Sequence, residues 1–273
     1  MLTAYEKPRE LREYPELPDP GPGEAVARVG MAGICGTDVH LWLGELPIPL
    51  PVIMGHESAG VIEKLGPGLE RDWRGNPLKK GDRVTWASSV VCGECFYCRV
   101  KNQPTRCVGR KAYGISYCAD EAPHLRGGYA QSIHLRAGTA IFRLPEELPS
   151  EALIGAGCGL TTAIHGLERC PVNWGDSVVI QGAGPVGMGA LAVAKQAGAG
   201  RIGVIGGTAQ RLELARDFGA TDVIDISELR TPQERLQAVH SIVGPYGADA
   251  VIECVGRPAA VNEGIELVRD GGR

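Results

Sequence analysis

The 273-residue sequence contains no apolar run near the ~18 residues that a membrane span needs, which argues against a transmembrane segment. Its opening stretch, MLTAYEKPRE, is polar and lacks the apolar core of a secretory signal. It has no cluster of lysine and arginine, and its formal net charge is −4. A nucleic-acid surface needs basic groups gathered to meet phosphates, so that class of partner is not expected. These absences lead to the expectation of a cytoplasmic protein with no membrane and no nucleic-acid partner. Internal repeats and low-complexity linkers are also missing. Apolar residues make up 44% and charged residues 22%, as in an ordinary globular chain, and the length allows two domains.

Cysteine and glycine are plentiful by contrast. There are nine cysteines, an odd number, and in a reducing compartment clustered cysteines more often bind metal or catalyse than form disulfides. The 39 glycines often follow apolar β-branched runs, the signature of tight strand ends and close backbone approach.

Two patterns divide the chain. Up to about Leu148, EAVARVGMAGIC, PVIMGHESAGVIEKLG and DRVTWASSVV read as short strands between Pro and Gly turns, and helical periodicity is weak. After Pro149, strand and helix alternate. DSVVIQG, RIGVIGG, DVIDI and ADAVIECVG are strands, with helices expected from about Pro185 to Ala197, Ala209 to Phe218, Thr231 onward and Pro258 to Val268. In the third of these, Thr231 is the N-cap, Pro232 occupies the first helical position and Glu234 closes a capping box. Such alternation predicts a parallel sheet covered by helices on both faces. The expected domains are residues 1–159, β-rich, and residues 160–273, an α/β fold.

IQGAGPVGMG sets Gly182, Gly184 and Gly187 in a G-x-G-x-x-G pattern, with Pro185 and Val186 between. That pattern is weak alone. Here it follows an apolar strand and opens a helix, where glycines let a pyrophosphate approach the backbone and the helix N-terminus favours the anion. At the end of the next strand an NAD site would show an acid to accept from the ribose hydroxyls. This chain has Gly206, Gly207 and Thr208 there, with Arg211 just beyond. No carboxylate repels a 2′-phosphate, and Arg211 and Thr208 are candidates to bind one, so the cofactor is NAD or NADP.

Cys92, Cys95, Cys98 and Cys107 form C-x2-C-x2-C-x8-C, four thiols in sixteen residues. This suits a closed, structural zinc site in a lobe of about residues 92–107; the alternatives are an iron–sulfur cluster or free thiols. A second constellation is GICGTDVHLW, read as a loop opening with glycines, which gathers Cys35, Thr37, Asp38 and His40. MGHESAG follows with His56 and Glu57, and GAGCGLTT places Cys158 at the domain junction. A catalytic zinc needs three protein ligands and an open position. Taken singly, Cys35 and Cys158 read more readily as buried small residues, and His56 as a satisfied core histidine.

Jointly the motifs GICGTDVH, GHESAG, the four-cysteine lobe, GCGLTT and GAGPVG resemble the zinc-dependent medium-chain dehydrogenase/reductase family, the alcohol dehydrogenase-like enzymes. They do so in family order over essentially the whole chain. The cysteine lobe is one residue longer than the common pattern, a difference that a loop absorbs easily. The resemblance implies a GroES-like β-rich catalytic domain followed by a Rossmann domain. It implies two zinc ions, with Cys35, His56 and Cys158 as ligands of the catalytic one and Glu57 a carboxylate able to ligate transiently. Asp38 would orient the ligating histidine. Thr37 would take the alcohol proton and His40 relay it towards solvent, while hydride passes between a small-molecule alcohol, or its carbonyl product, and the nicotinamide. Family members continue beyond RDGGR, so the Rossmann domain is expected to be truncated at its C-terminus, and the full-length form to be a homodimer or homotetramer. A zinc-free quinone or enoyl reductase of the same fold and a zinc-stabilised, non-catalytic scaffold are the alternative readings. Trp42 and Ser88, close to the motif loops, are candidates for lining a substrate pocket.

Overall fold

Antiparallel pairing organises the first half of the chain and parallel pairing the second. The computed structural model describes residues 1–273, which fall into two compact units, Met1–Gly155 and Ala156–Arg273. The division comes a few residues before the position expected from the sequence, so Cys158 belongs to the second unit.

In the first unit a five-stranded sheet has the order β6 (Ser132–Leu135), β1 (Ala25–Ala32), β2 (Ser58–Leu65), β3 (Arg83–Trp86) and β7 (Ile141–Arg143). Ala25, Ala27, Ile62, Val84, Ile133 and Leu135 turn inward and form its fully buried core. Each large aliphatic side chain there contributes about 1.5–3 kcal/mol by leaving water. A short ladder of β4 (Ser89–Val90) and β5 (Lys111–Ala112) brackets the cysteine lobe. Within the lobe are a single helical turn, α2 (Phe96–Arg99), and a 3-10 turn at Pro104–Arg106.

The register of β1 and β2 positions the site. Their last pair is Ala32 with Ser58. One step beyond, the Gly33 N–H donates to the Glu57 carbonyl at 2.8 Å. The segment leaving β1 and the segment entering β2 therefore run side by side, which brings Cys35 and His56 together.

GTDVHLWL, read above as part of a glycine-opened loop, is a helix, α1 (Gly36–Leu43). Its start is fixed by a capping box in which cysteine takes the place of serine. The Cys35 Sγ accepts from the Thr37 N–H at 3.2 Å, and the Asp38 carboxylate accepts from the Cys35 N–H at 2.9 Å. Leu41 anchors the other end against Leu2, Val52 and Met54. The helix is too short for an amphipathic period to be visible in the sequence; its cap and one anchor define it.

The second unit begins within α3 (Ser150–Arg169), a helical segment not anticipated from the sequence and interrupted at Gly157 (φ 44°, ψ −146°). Its parallel sheet has the order β10 (Asp222–Asp225), β9 (Arg201–Gly206), β8 (Ser177–Gln181) and β11 (Ala250–Glu253). Helices α4 (Pro185–Gln196), α5 (Ala209–Phe218), α6 (Pro232–Val243) and α7 (Pro258–Leu267) alternate with the strands. Side chains of the sheet alternate between two cores. Val178, Ile180, Ile202 and Val204 pack with Ala190, Leu191, Ala194 and Leu212. Val179, Ile205 and Ile224 pack with Val239 and Leu267. This is the doubly covered parallel sheet that the alternating pattern predicts. No helix is long and apolar enough to cross a membrane.

Candidate functional site

Two groups of donor side chains lie in the first unit, and a glycine-lined cleft lies in the second.

In the first unit, the ligating atoms of Cys35, His56 and Glu57 lie within 4.8 Å of one another. Cys35 enters from the N-cap of α1, and His56 and Glu57 from the turn before β2. The Cys35 Sγ is 3.1 Å from the His56 Nε2. On the other side of the imidazole, Nδ1 stands 3.6 Å from Asp38 Oδ1, an ion-pair distance too long for a hydrogen bond. Both of those atoms are buried without a hydrogen-bond partner. Burial disfavours charge on His56, but the Asp38 carboxylate and the Cys35 sulfur outweigh it and push its pKa up to about 10. Burial likewise works to raise Asp38, and the His56 imidazole and the Cys35 N–H prevail, holding its carboxyl below the usual range. A thiol and an imidazole thus stand side by side with a buried carboxylate behind the ring, and sulfur and imidazole nitrogen are donors that zinc takes. Sulfur and nitrogen ligands of one tetrahedral zinc would stand about 3.5 Å apart, close to the 3.1 Å found.

Thr37 and His40 lie three residues apart on α1 and so share a helix face. His40 is exposed and its Nδ1 contacts the Glu45 carboxylate. Trp42 does not stand free: its indole N–H donates to the Lys7 carbonyl at 2.9 Å, and the ring packs on the Leu2–Leu41 cluster. Ser88 lies between β3 and β4, where its carbonyl accepts from the Tyr113 N–H. Sequence reasoning missed Tyr129, whose hydroxyl donates to the Gly33 carbonyl at 2.9 Å and braces the turn that leads to Cys35. Burial, followed by the Asp38 charge, pushes that phenol's pKa up, so it remains a donor. Nothing in the spacing of GGYAQ signals this contact.

The four lobe cysteines also converge, with all sulfurs within 4.8 Å of one another. Cys107 and Cys92 sulfurs are 3.4 Å apart and those of Cys95 and Cys98 are 3.5 Å apart. Four sulfurs at ~2.3 Å from one zinc would form a tetrahedron with edges of about 3.8 Å, so the cage has the right size. Backbone N–H groups lower the Cys95 thiol to about 6, while burial and its neighbours push Cys98 up to about 12.

In the second unit, Cys158 directly follows the Gly157 break and is partly buried. The glycine loop joins β8 to α4. Gly182 has φ +102°, and a Cβ at Gly187 would fall 1.8 Å from the Gly182 carbonyl, so only glycine closes this turn. Gly184 caps α4 and Pro185 starts it. A cleft of about 650 Å³ opens here, lined by Gly182 and Gly184, by Gly206–Thr208 and by Arg211. Val186 and Gly187 continue into α4 behind it. At Gly206 a Cβ would come within 2.9 Å of the Ala183 Cβ and 2.8 Å of a Leu212 methyl. Ala183, in the turn before α4, and Leu212 of α5 thus crowd any side chain placed there, and one of them must shift to admit it.

Comparison with known proteins fits this geometry. Residues 21–146 match the family model "Alcohol dehydrogenase GroES-like domain", and residues 185–273 match "Zinc-binding dehydrogenase". The chain is 41% identical over 258 residues to 5-exo-hydroxycamphor dehydrogenase of Pseudomonas putida, covering 93% of this chain and 69% of that protein. It is 33% identical over 268 residues to human sorbitol dehydrogenase, covering 96% and 69%. Among solved structures, an alcohol dehydrogenase from Thermotoga maritima superposes with a TM-score of 0.93 at 38% identity, covering 99% of this chain and 74% of that one.

Proposed function

Because the chain belongs to the zinc-dependent, alcohol dehydrogenase-like medium-chain dehydrogenase/reductase family, we propose that it is an oxidoreductase that moves a hydride between an alcohol, or its carbonyl product, and NAD(P). The observation that carries this reading is the Cys35–His56 pair at 3.1 Å with the buried carboxylate of Asp38 behind the imidazole.

In this reading Cys35, His56 and Cys158 hold the catalytic zinc, and Glu57 is a carboxylate within reach of the same position. Bound zinc supplies Lewis acidity, which lowers the pKa of an alcohol hydroxyl or polarises a carbonyl. Asp38 fixes the imidazole so that Nε2 faces the metal position. The Thr37 hydroxyl accepts the alcohol proton, and His40, on the same face of α1, passes it to solvent beside Glu45. The four lobe cysteines hold a second zinc with no open position, a structural role. In the second unit, the Gly182–Gly187 turn and the start of α4 take the pyrophosphate, and the Gly206–Thr208 end of β9 meets the adenosine ribose.

The relatives named above act on an alicyclic alcohol in one case and a polyol in another, so the test uses a panel of both. Metal analysis is combined with the appearance of reduced nicotinamide on adding alcohol and NAD⁺ or NADP⁺. Two zinc ions per chain with turnover is the expected result. No zinc, with enone reduction, points to the zinc-free reductase; one zinc without turnover points to the scaffold.

A further inference from the structure

The cofactor cleft carries more positive charge than a pyrophosphate requires. Four arginines and one glutamate line it, in a chain whose formal net charge is −4. The glutamate, Glu263, is already neutralised. Its two oxygens accept from Arg235 Nε and Nη2 at 2.6 and 2.7 Å, and both side chains are almost fully buried. No carboxylate pairs with Arg211, Arg230 or Arg257.

Arg230 is held in place from both sides. Before it, the Leu229 carbonyl accepts from Arg235 Nη1 at 2.9 Å and the Leu229 N–H donates to Asp225. After it, Thr231 is locked in a capping box with Glu234. Its own Nε donates to the Ser227 carbonyl at 3.1 Å, which leaves the two terminal nitrogens of the guanidinium unengaged. A pre-positioned arginine loses little freedom on binding and presents a fork that matches phosphate oxygens. Thr208, across the cleft, caps α5 without using its hydroxyl, so that group also remains available.

Strand order says which phosphate these groups meet. The pyrophosphate position belongs to the turn after β8, and the ribose position to the end of β9. Arg211 follows β9 and Arg230 follows β10, the strand on the far side of β9 from β8. Arg257 follows β11, on the opposite side of β8, and stands apart from the pair.

We infer that Arg230 and Arg211 form a two-armed clamp for a 2′-phosphate on the adenosine ribose, which makes the protein selective for the phosphorylated dinucleotide. The inference rests on the dinucleotide reading of this cleft given above. Each charge-assisted contact should be worth about tenfold or more in affinity.

Calorimetric titration of the 273-residue chain with 2′,5′-ADP, ADP, NADP⁺ and NAD⁺ tests it. The expected result is a preference for 2′,5′-ADP over ADP, and for NADP⁺ over NAD⁺, of at least about tenfold. Arg230→Gln should cut both preferences about tenfold with an unchanged melting temperature, since the residue is exposed, and Arg211→Gln should do the same. Arg216→Gln, which removes one charge from α5 outside the cleft, should leave the preferences intact. Equal weakening of phosphorylated and unphosphorylated ligands by Arg230→Gln overturns the clamp, as does no change at all. A wild type that binds both dinucleotides without preference sinks the clamp and spares the dehydrogenase reading. A wild type that binds none of the four sinks both.

Discussion

The two cysteine-containing clusters of the first unit are built in opposite ways. The lobe draws all four sulfurs from one sixteen-residue segment with little core beneath it. Its cage uses every ligand that a tetrahedral zinc can take. The Cys35–His56 cluster draws its groups from two segments aligned by the β1–β2 register and backs them with a buried acid and a bracing tyrosine. In the lobe, the metal would organise the chain; in the other cluster, the fold organises the metal position. One site should therefore fail by unfolding and the other by losing activity.

Replacing a single sulfur by oxygen in each cluster sharpens that contrast most. Cys35→Ser keeps a good N-cap on α1 but removes one of the two proposed sulfur ligands, so turnover should fall by about 10³-fold or more while the melting temperature moves by only a few degrees. Steady-state kinetics together with metal stoichiometry checks it; retention of both zinc ions and of activity would break the comparison. Cys95→Ser should show the reverse. Structural zinc in small domains is folding energy of order 10 kcal/mol, so even partial loss should lower the melting temperature by about 10 °C or more. The folded fraction should keep near-wild-type turnover. An unchanged melting curve with full metal content would remove the structural role.

Smaller effects probe the support around the Cys35–His56 cluster. Asp38→Asn keeps the shape and removes the charge behind His56, and should cost about 10- to 100-fold in zinc affinity at that site, measured by competition with a chelator. No change in affinity would leave Asp38 as packing alone. His40→Ala should reduce turnover by at most about 10²-fold, most strongly at and below neutral pH where hydroxide cannot replace the relay, with zinc content intact. A wild-type-to-mutant ratio that is flat across pH would argue against a relay. Gly206→Asp, the smallest, should shift preference towards NAD about tenfold and lower the melting temperature too, because its Cβ meets Ala183. A wild type that already prefers NAD by orders of magnitude would show that another group holds the ribose.

What the sequence made legible follows from the same contrast. The lobe could be read because its four ligands are local and spacing alone encodes them. The second half could be read because strand and helix alternate with clear caps, as at Thr231–Glu234. The Cys35–His56 meeting could not be derived from either motif singly, since it depends on the pairing of Ala32 with Ser58. α1 was hidden because its cap is a cysteine and its anchor, Leu41, packs on residues as distant as Leu2 and Met54. The crowding at Gly206 was invisible because Ala183 reaches it from the turn between β8 and α4, and Leu212 from within α5.

Residue 35 also constrains how this protein can change by mutation. Its sulfur caps the first turn of α1 and, on the proposed function, is also a zinc ligand. Serine satisfies the helix and is a poor ligand; histidine is a good ligand and a poor cap. Aspartate alone among the common zinc ligands offers an oxygen for both tasks. Among replacements at this position aspartate alone keeps both tasks, whereas exchange of thiol for imidazole keeps a ligand and leaves the first turn of α1 uncapped.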